Sequence, residues 1–360
     1  EQLRLGRGYR QKGALRLAAA AYREALKADP GNVAARHGLG VVLERQGELQ
    51  AALAELRWVH QRAPGSANIH NDLGALLARL GRREEAAREF EEALEREPRS
   101  CVARTNLGLV LREQGRIEEA LGRFREAVTC NPTDSHSRFN LGVTQMQKGD
   151  AAGAASSFRE SIRLDPEHAP AHYQLGAALR KRGDSEGARL ALEQFRQIQV
   201  GGRERSEKLK THLRRGIELA TRGDTDAAFE AFQAALAARS DSAEARYNLG
   251  RLLQQRGETE AAITEYRRAL EANPEYVDAF NNLGIALLVK GERSEAREQF
   301  EAAVRMNPDY AAGHFNLGLL SAGQKDWDAA EYAFRTAIRL RPDYAEAHKA
   351  LAMVLRLRGR

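Results

Sequence analysis

A dipeptide that returns every 34 residues constrains this chain more than any other feature. Leu-Gly stands at Leu39-Gly40, Leu73-Gly74, Leu107-Gly108, Leu141-Gly142 and Leu175-Gly176, each step being 34 residues. After a disturbance it resumes at Leu249-Gly250, Leu283-Gly284 and Leu317-Gly318, again in steps of 34. Seven residues after each of the first five glycines comes another: Gly47, Gly81, Gly115, Gly149 and Gly183. Twelve after the same glycines come Ala52, Ala86, Ala120, Ala154 and Ala188. Pro30, Pro64, Pro98, Pro132, Pro166, Pro274, Pro308 and Pro342 stand near unit ends. A period of this length marks a small supersecondary unit that buries its apolar face only by stacking on copies of itself.

Each mark has a mechanical reading. The first Gly and the Ala are small, so two antiparallel helices approach closely where they cross. The second Gly tolerates positive φ and ends the first helix. An acidic residue often follows, as at Glu48, Asp150, Asp184, Glu258 and Glu292, and suits the start of a second helix. The Pro has no N–H with which to continue that helix. The unit is expected to be helix–turn–helix.

This spacing resembles the tetratricopeptide repeat: Leu-Gly, Gly, Ala, an aromatic such as Phe90, Phe124, Phe158 or Phe300, then Ala and Pro. The family's early Trp is absent, with Arg104, Arg138, Arg246 or Phe280 in its place. The resemblance covers nearly the whole chain and implies an all-α, right-handed α-solenoid superhelix. Ten repeats are expected, at 1–32, 33–66, 67–100, 101–134, 135–168, 169–202, 209–242, 243–276, 277–310 and 311–344, with 345–360 as a capping helix. The step lengthens to 40 between Gly176 and Gly216, and the sequence there contains Gly201-Gly202. Residues 201–208 therefore read as a helix break and a junction between sub-arrays 1–200 and 209–344.

With Leu-Gly at positions 7 and 8 of each unit, positions 4, 7, 8 and 11 carry recurring packing residues. Positions 2, 5, 6, 9, 12 and 13 form the opposite stripe, where residue types vary most. In the resembled family the first helices line the concave side, which places this stripe in a groove. Position 6 holds Asn106, Asn140, Asn248, Asn282 and Asn316, with Asp72 and Gln174 as near equivalents. A carboxamide matches the donor and acceptor of a peptide backbone. In the nucleocytoplasmic O-GlcNAc transferases, which look similar over this region, an asparagine ladder holds substrate chains in this way. The alternative is that each Asn bonds to the neighbouring repeat. Position 5 adds Phe139, Tyr173, Tyr247 and Phe315 beside Asn71 and Asn281, and these rings either take apolar ligand groups or pack on the adjacent helix. Arg112, Arg180, Lys181 and Arg251 share the stripe and suit acidic ligand groups. The carboxylate clamp of chaperone-binding tetratricopeptide domains is not matched, because the one Lys at position 5 is Lys349, in the cap.

The net charge of +6 comes from 56 basic and 50 acidic residues whose signs alternate along the helices, unlike the basic stripe of a nucleic-acid binder. Two cysteines, Cys101 and Cys130, make no disulfide framework, so a cytoplasmic setting is the default, a periplasmic or secreted form remaining open. They open and close the two helices of one unit, whose antiparallel packing brings them near, yet a bridge is not expected. No apolar run spans a bilayer. No phosphate-loop, dinucleotide or zinc-ligand motif occurs, and Pro170 separates His168 from His172. The expectation is a non-enzymatic scaffold that needs no cofactor or metal and binds extended protein segments, within a multiprotein complex. The runner-up is the substrate-recruiting arm of a larger enzyme such as a glycosyltransferase.

Overall fold

The computed structural model describes residues 1–358. Its helices, in order, are α1 (Gln2–Gln11), α2 (Leu15–Ala28), α3 (Val33–Gln46), α4 (Leu49–Arg62), α5 (Ala67–Arg79), α6 (Arg83–Arg96) and α7 (Cys101–Glu113). There follow α8 (Ile117–Cys130), α9 (Ser135–Lys148), α10 (Ala151–Leu164), α11 (Ala169–Lys181), α12 (Ser185–Thr221), α13 (Thr225–Ala238) and α14 (Ala243–Gln255). The last are α15 (Thr259–Ala272), α16 (Val277–Lys290), α17 (Arg293–Met306), α18 (Ala311–Gly323), α19 (Trp327–Leu340) and α20 (Ala345–Leu357). No strand occurs among the described residues, and none of these helices is long and apolar enough to cross a membrane.

The two glycines of each unit do different work. A Cβ on Gly284 would lie 2.5 Å from the Phe300 ring, and one on Gly74 or Gly108 would lie 2.9 Å from Phe90 or Phe124. The first glycine is thus a seat for the fully buried ring of the second helix. The second glycine is left-handed, with φ of 85° at Gly47, 93° at Gly149 and 94° at Gly291. At Gly47 the turn closes through Gly47 N–H to Glu44 O and Glu48 N–H to Leu43 O. Lys325 takes the same turn with φ of 61°, the one non-glycine residue at positive φ among those described. Asp and Glu differ just after the turn. Asp150, Asp184, Asp224 and Asp326 accept from the N–H three residues on, whereas Glu48, Glu258 and Glu292 make no side-chain cap bond. The longer Glu side chain does not fold back onto its own first turn.

Two compact units are present: Ala25–Glu204, and Arg205–Arg360 together with Glu1–Glu24. In both, the backbones of first helices in neighbouring repeats come close (α3 with α5 through α9 with α11, and α14 with α16 through α18 with α20), while those of the described second helices stand farther apart and meet only through long side chains such as Arg57–Glu85 and Arg267–Glu295. Each stack therefore curves with its first helices on the inside. In the unit Ala25–Glu204, Ala154, Ala155, Phe158, Leu175 and Leu179 form one continuous core segment. In the other, Phe232, Leu249, Tyr266, Leu283 and Phe300 do the same. That second unit also recruits the start of the chain. Ala14, Leu17 and Met306 form one buried cluster with Tyr9, Val277 and Phe280 against it, and Arg16 N–H donates to Glu275 Oε1 at 2.8 Å. Leu5-Gly6, one 34-residue step before Leu39-Gly40, meets the Tyr22 ring as the later glycines meet theirs.

Two expectations are corrected. Gly201 and Gly202 do not break the chain: α12 runs unbroken through them for 37 residues. Two glycines cost a helix about 2 kcal/mol, which the flanking Arg, Glu, Lys and Leu residues and tertiary packing outweigh. Cys101 and Cys130 are joined in a disulfide, with Cα atoms 5.6 Å apart. Cys101 begins α7 and Cys130 ends α8, so antiparallel packing sets them at bridging distance.

Candidate protein-binding face

On the inner stripe, positions 5 and 6 link consecutive repeats. His37 Nε2 lies 2.7 Å from Asp72 Oδ2, and Asn106 Nδ2 donates to Asn71 Oδ1 at 3.2 Å. Asn282 Nδ2 donates to the Tyr247 hydroxyl at 3.2 Å, and Asn316 Nδ2 to Asn281 Oδ1 at 2.8 Å. All four pairs are 35 residues apart, position 5 of one repeat meeting position 6 of the next. Asn281 Nδ2 in turn donates to Asn282 Oδ1 at 3.3 Å. Asn140 departs from this pattern: its Oδ1 accepts from Arg112 Nη1 at 3.0 Å and its Nδ2 donates to His136 O. Asn248 Nδ2 donates to Glu244 O of its own helix. Asn140, Asn281 and Asn316 are buried; Asn71, Asp72, Asn106, Gln174, Asn248 and Asn282 are half-buried. The three Asn-donated links use one amide hydrogen each and hold the carboxamide planes in a fixed orientation, leaving a second N–H on each donor.

The position 5 rings pack on aromatic groups of their own repeats. Phe139 lies 5.7 Å from Phe158 and 4.8 Å from His168, whose pKa burial pulls down while Asp165 opposes. Tyr247 sits between Tyr266 and Tyr276, at 6.0 and 4.8 Å. Phe315 sits between Phe334 and Tyr344, at 5.8 and 4.9 Å. Tyr173 contacts Phe195 but stays half exposed. Burial raises the pKa of Tyr247, with the Asp278 carboxylate adding to it. Arg112 is half-buried, 5.8 Å from the Phe124 ring centre, and burial lowers its pKa. Arg180, Lys181 and Arg251 are exposed, with Arg251 5.9 Å from the Tyr247 ring centre.

Residues outside the expected set complete the face. Tyr276, Tyr310 and Tyr344 recur at 34-residue steps just before three first helices, and Tyr310 donates to Asp278 Oδ1 at 2.9 Å. Their own spacing was the available signal. Six large apolar side chains also stand exposed at stripe positions 2, 9 and 13, namely Val102, Ile217, Val289, Leu319, Met353 and Leu357, joining the expected Tyr173 at position 5. Exposed apolar groups on one face mark an interaction surface more than scattered ones do.

Comparison with known proteins agrees with this architecture. A family model described as tetratricopeptide repeat matches residues 3–67, 71–135, 139–198, 281–345 and 322–360. Two further repeat models of the same kind match 250–291 and 219–266. No curated protein matches the chain. Among solved structures, PilW, described as a widely conserved type IV pilus biogenesis factor, is 23% identical with a TM-score of 0.51, over 54% of this chain and 90% of its own. MamA 41-end from Desulfovibrio magneticus RS-1 is 20% identical with a TM-score of 0.45, over 47% of this chain and 95% of its own. The likeness to PilW speaks to the fold alone. With the matched segments spanning most of its length, the chain belongs to the tetratricopeptide-repeat family.

Proposed function

We propose that the chain is a non-catalytic scaffold whose first-helix face takes extended protein segments. The observation that carries this reading is the set of exposed apolar side chains on that stripe, from Val102 to Leu357, lying beside oriented amides and free-standing guanidinium groups. An extended segment would lay aliphatic side chains against Leu319, Met353 and Val289. Its backbone would meet the remaining amide hydrogens at Asn282 and Asn316, and its acidic groups Arg251; Asn106 and Arg180 offer the same chemistry separately on the unit Ala25–Glu204. Protein partners fit better than nucleic acid, since the stripe carries few cations and the chain's charges are mixed. The cytoplasmic setting loses its support from unbridged cysteines, and the Cys101–Cys130 bridge favours an oxidising compartment.

The test is a pair of substitutions on exposed positions. Leu319→Asp with Met353→Asp leaves the packed core intact, so the melting temperature should stay within about 2 °C. Proteins recovered with the wild-type chain, quantified by mass spectrometry, should fall at least tenfold with this variant. Recovery at the wild-type level would reject the face as the binding surface.

A further inference from the structure

Glu89, His60 and His70 come together on three consecutive helices of the unit Ala25–Glu204. Their ligand atoms all lie within 4.8 Å of one another. His60 is in the last turn of α4, His70 in the first turn of α5, and Glu89 in the middle of α6. His70 is 3% exposed, its Nε2 2.8 Å from the Pro64 carbonyl and its Nδ1 2.7 Å from Glu89 Oε2. His60 Nε2 lies 4.0 Å from the same carboxylate oxygen, and the two imidazoles meet edge to face at 4.8 Å.

Two features set this cluster apart from ordinary repeat packing. An imidazole Nε2 against a Pro carbonyl is itself ordinary, recurring at His172, His314 and His348; the first difference is the carboxylate on the other nitrogen of His70. The Pro64 carbonyl only accepts, so it fixes the hydrogen of His70 on Nε2 and turns the Nδ1 lone pair toward Glu89. A lone pair and a carboxylate oxygen at that distance need a proton or a cation between them. A backbone carbonyl behind one imidazole nitrogen is the outer-shell arrangement that orients metal-binding histidines. The second feature is His60 itself. Its position 28 is Leu26, Leu94, Val128, Ile162, Leu236, Leu270, Val304 and Ile338 in eight of the other nine repeats, and Arg196 in the repeat 169–202, which runs into the long α12. Packing at this site calls for an aliphatic side chain, yet here it is an imidazole, and it faces the one repeat with a His–Glu pair. In two other repeats the pair at those positions is Arg36–Glu55 or Arg246–Glu265, which needs no third member.

We propose that His60, His70 and Glu89 form a binding site for a divalent late transition ion, Zn2+ foremost, with solvent completing the coordination. Two imidazoles and one carboxylate suit Zn2+ over Mg2+ or Ca2+. Tetrahedral ligands at about 2.0–2.1 Å from Zn2+ stand about 3.3 Å apart. Glu89 therefore withdraws by about 0.6 Å from His70, and the His60 ring swings inward, both within the reach of side-chain torsions. The ion would tie the end of α4 to α5 and α6.

Calorimetric titration of the untagged chain with ZnCl2, alongside Co2+ titration followed in the visible range, tests this. One tight equivalent per chain is expected, with d–d bands of low-symmetry Co2+. His60→Leu restores the residue type of the other repeats, so it should melt at or above the wild-type temperature without metal. It should weaken Zn2+ binding at least tenfold and lose the Zn2+-induced rise in melting temperature, and Glu89→Gln should do likewise. Wild-type affinity in His60→Leu would overturn the site, because the ion would then sit on other histidines. Absence of saturable binding to the wild-type chain would overturn it equally.

Discussion

The inner faces of the two units rest on one scaffold and present different chemistry. In Ala25–Glu204 the stripe is knitted by polar links, namely His37–Asp72, Asn71–Asn106, Thr105–Ser137 and Arg112–Asn140, and exposes only Val102 and Tyr173 as large apolar groups. In Arg205–Arg360 a file of tyrosines flanks the amides, and Ile217, Val289, Leu319, Met353 and Leu357 reach solvent. Beneath both faces the same glycine meets the same ring, at Gly74–Phe90 and at Gly284–Phe300. Positions that hold the helix pair together are thus fixed, and positions pointing into the curve are free to diverge. The chemistry of that face can change from unit to unit without altering the stack.

The largest expected effects probe the shared scaffold. Phe90→Ala and Phe300→Ala each empty a fully buried ring site and should each cost about 3–5 kcal/mol. Urea unfolding with helix-resolved hydrogen exchange reads both, and a wide disparity between them would break the claim of a common scaffold. Next comes an asymmetry. The Cys101–Cys130 bridge closes a 29-residue separation in Ala25–Glu204 alone, so Cys101→Ser should cost that unit about 3 kcal/mol in oxidising buffer. The difference from wild type should vanish once both are measured with dithiothreitol. The smallest effect sharpens the distinction within one face. Asn316→Ala leaves Asn281 Oδ1 buried without its donor and should cost about 1–3 kcal/mol. Asn248→Ala removes only a bond to its own helix, and should cost less than about 0.5 kcal/mol. Equal losses would mean that the inter-repeat link contributes nothing beyond the side chain itself.

How far the sequence could be read follows from what each residue answers to. Gly47 and Gly284 answer to backbone geometry and ring packing within one unit, so a 34-residue pattern exposes them directly. The amide links answer to a neighbour 35 residues away, and the pattern gave the row without saying what each amide bonds. Asn106, Asn282 and Asn316 use a hydrogen between repeats, while Asn248 looks back along its own helix. Gly201-Gly202 was misread because local propensity is a weak prior against a long helix-favouring context. The cysteine count spoke to disulfide-rich folds and not to one pair set opposite each other by antiparallel helices. The exposure of Leu319 and Met353 shows only in the folded chain, since leucine and methionine read as core until burial is known. His60, His70 and Glu89 are spaced 10 and 19 residues apart, which matches no ligand motif.

The docking of Ala14 and Leu17 on Met306 has a consequence for biosynthesis. A segment near the start of the described chain waits for a partner that the ribosome delivers about 290 residues later, roughly 15–60 s at 5–20 residues per second. Repeats between them can stack as they emerge, because each needs only its neighbour. Leu17 and Tyr9 meanwhile remain without that cover, which makes the α1–α2 pair a natural client of a nascent-chain chaperone and the last part of its unit to become protease-resistant.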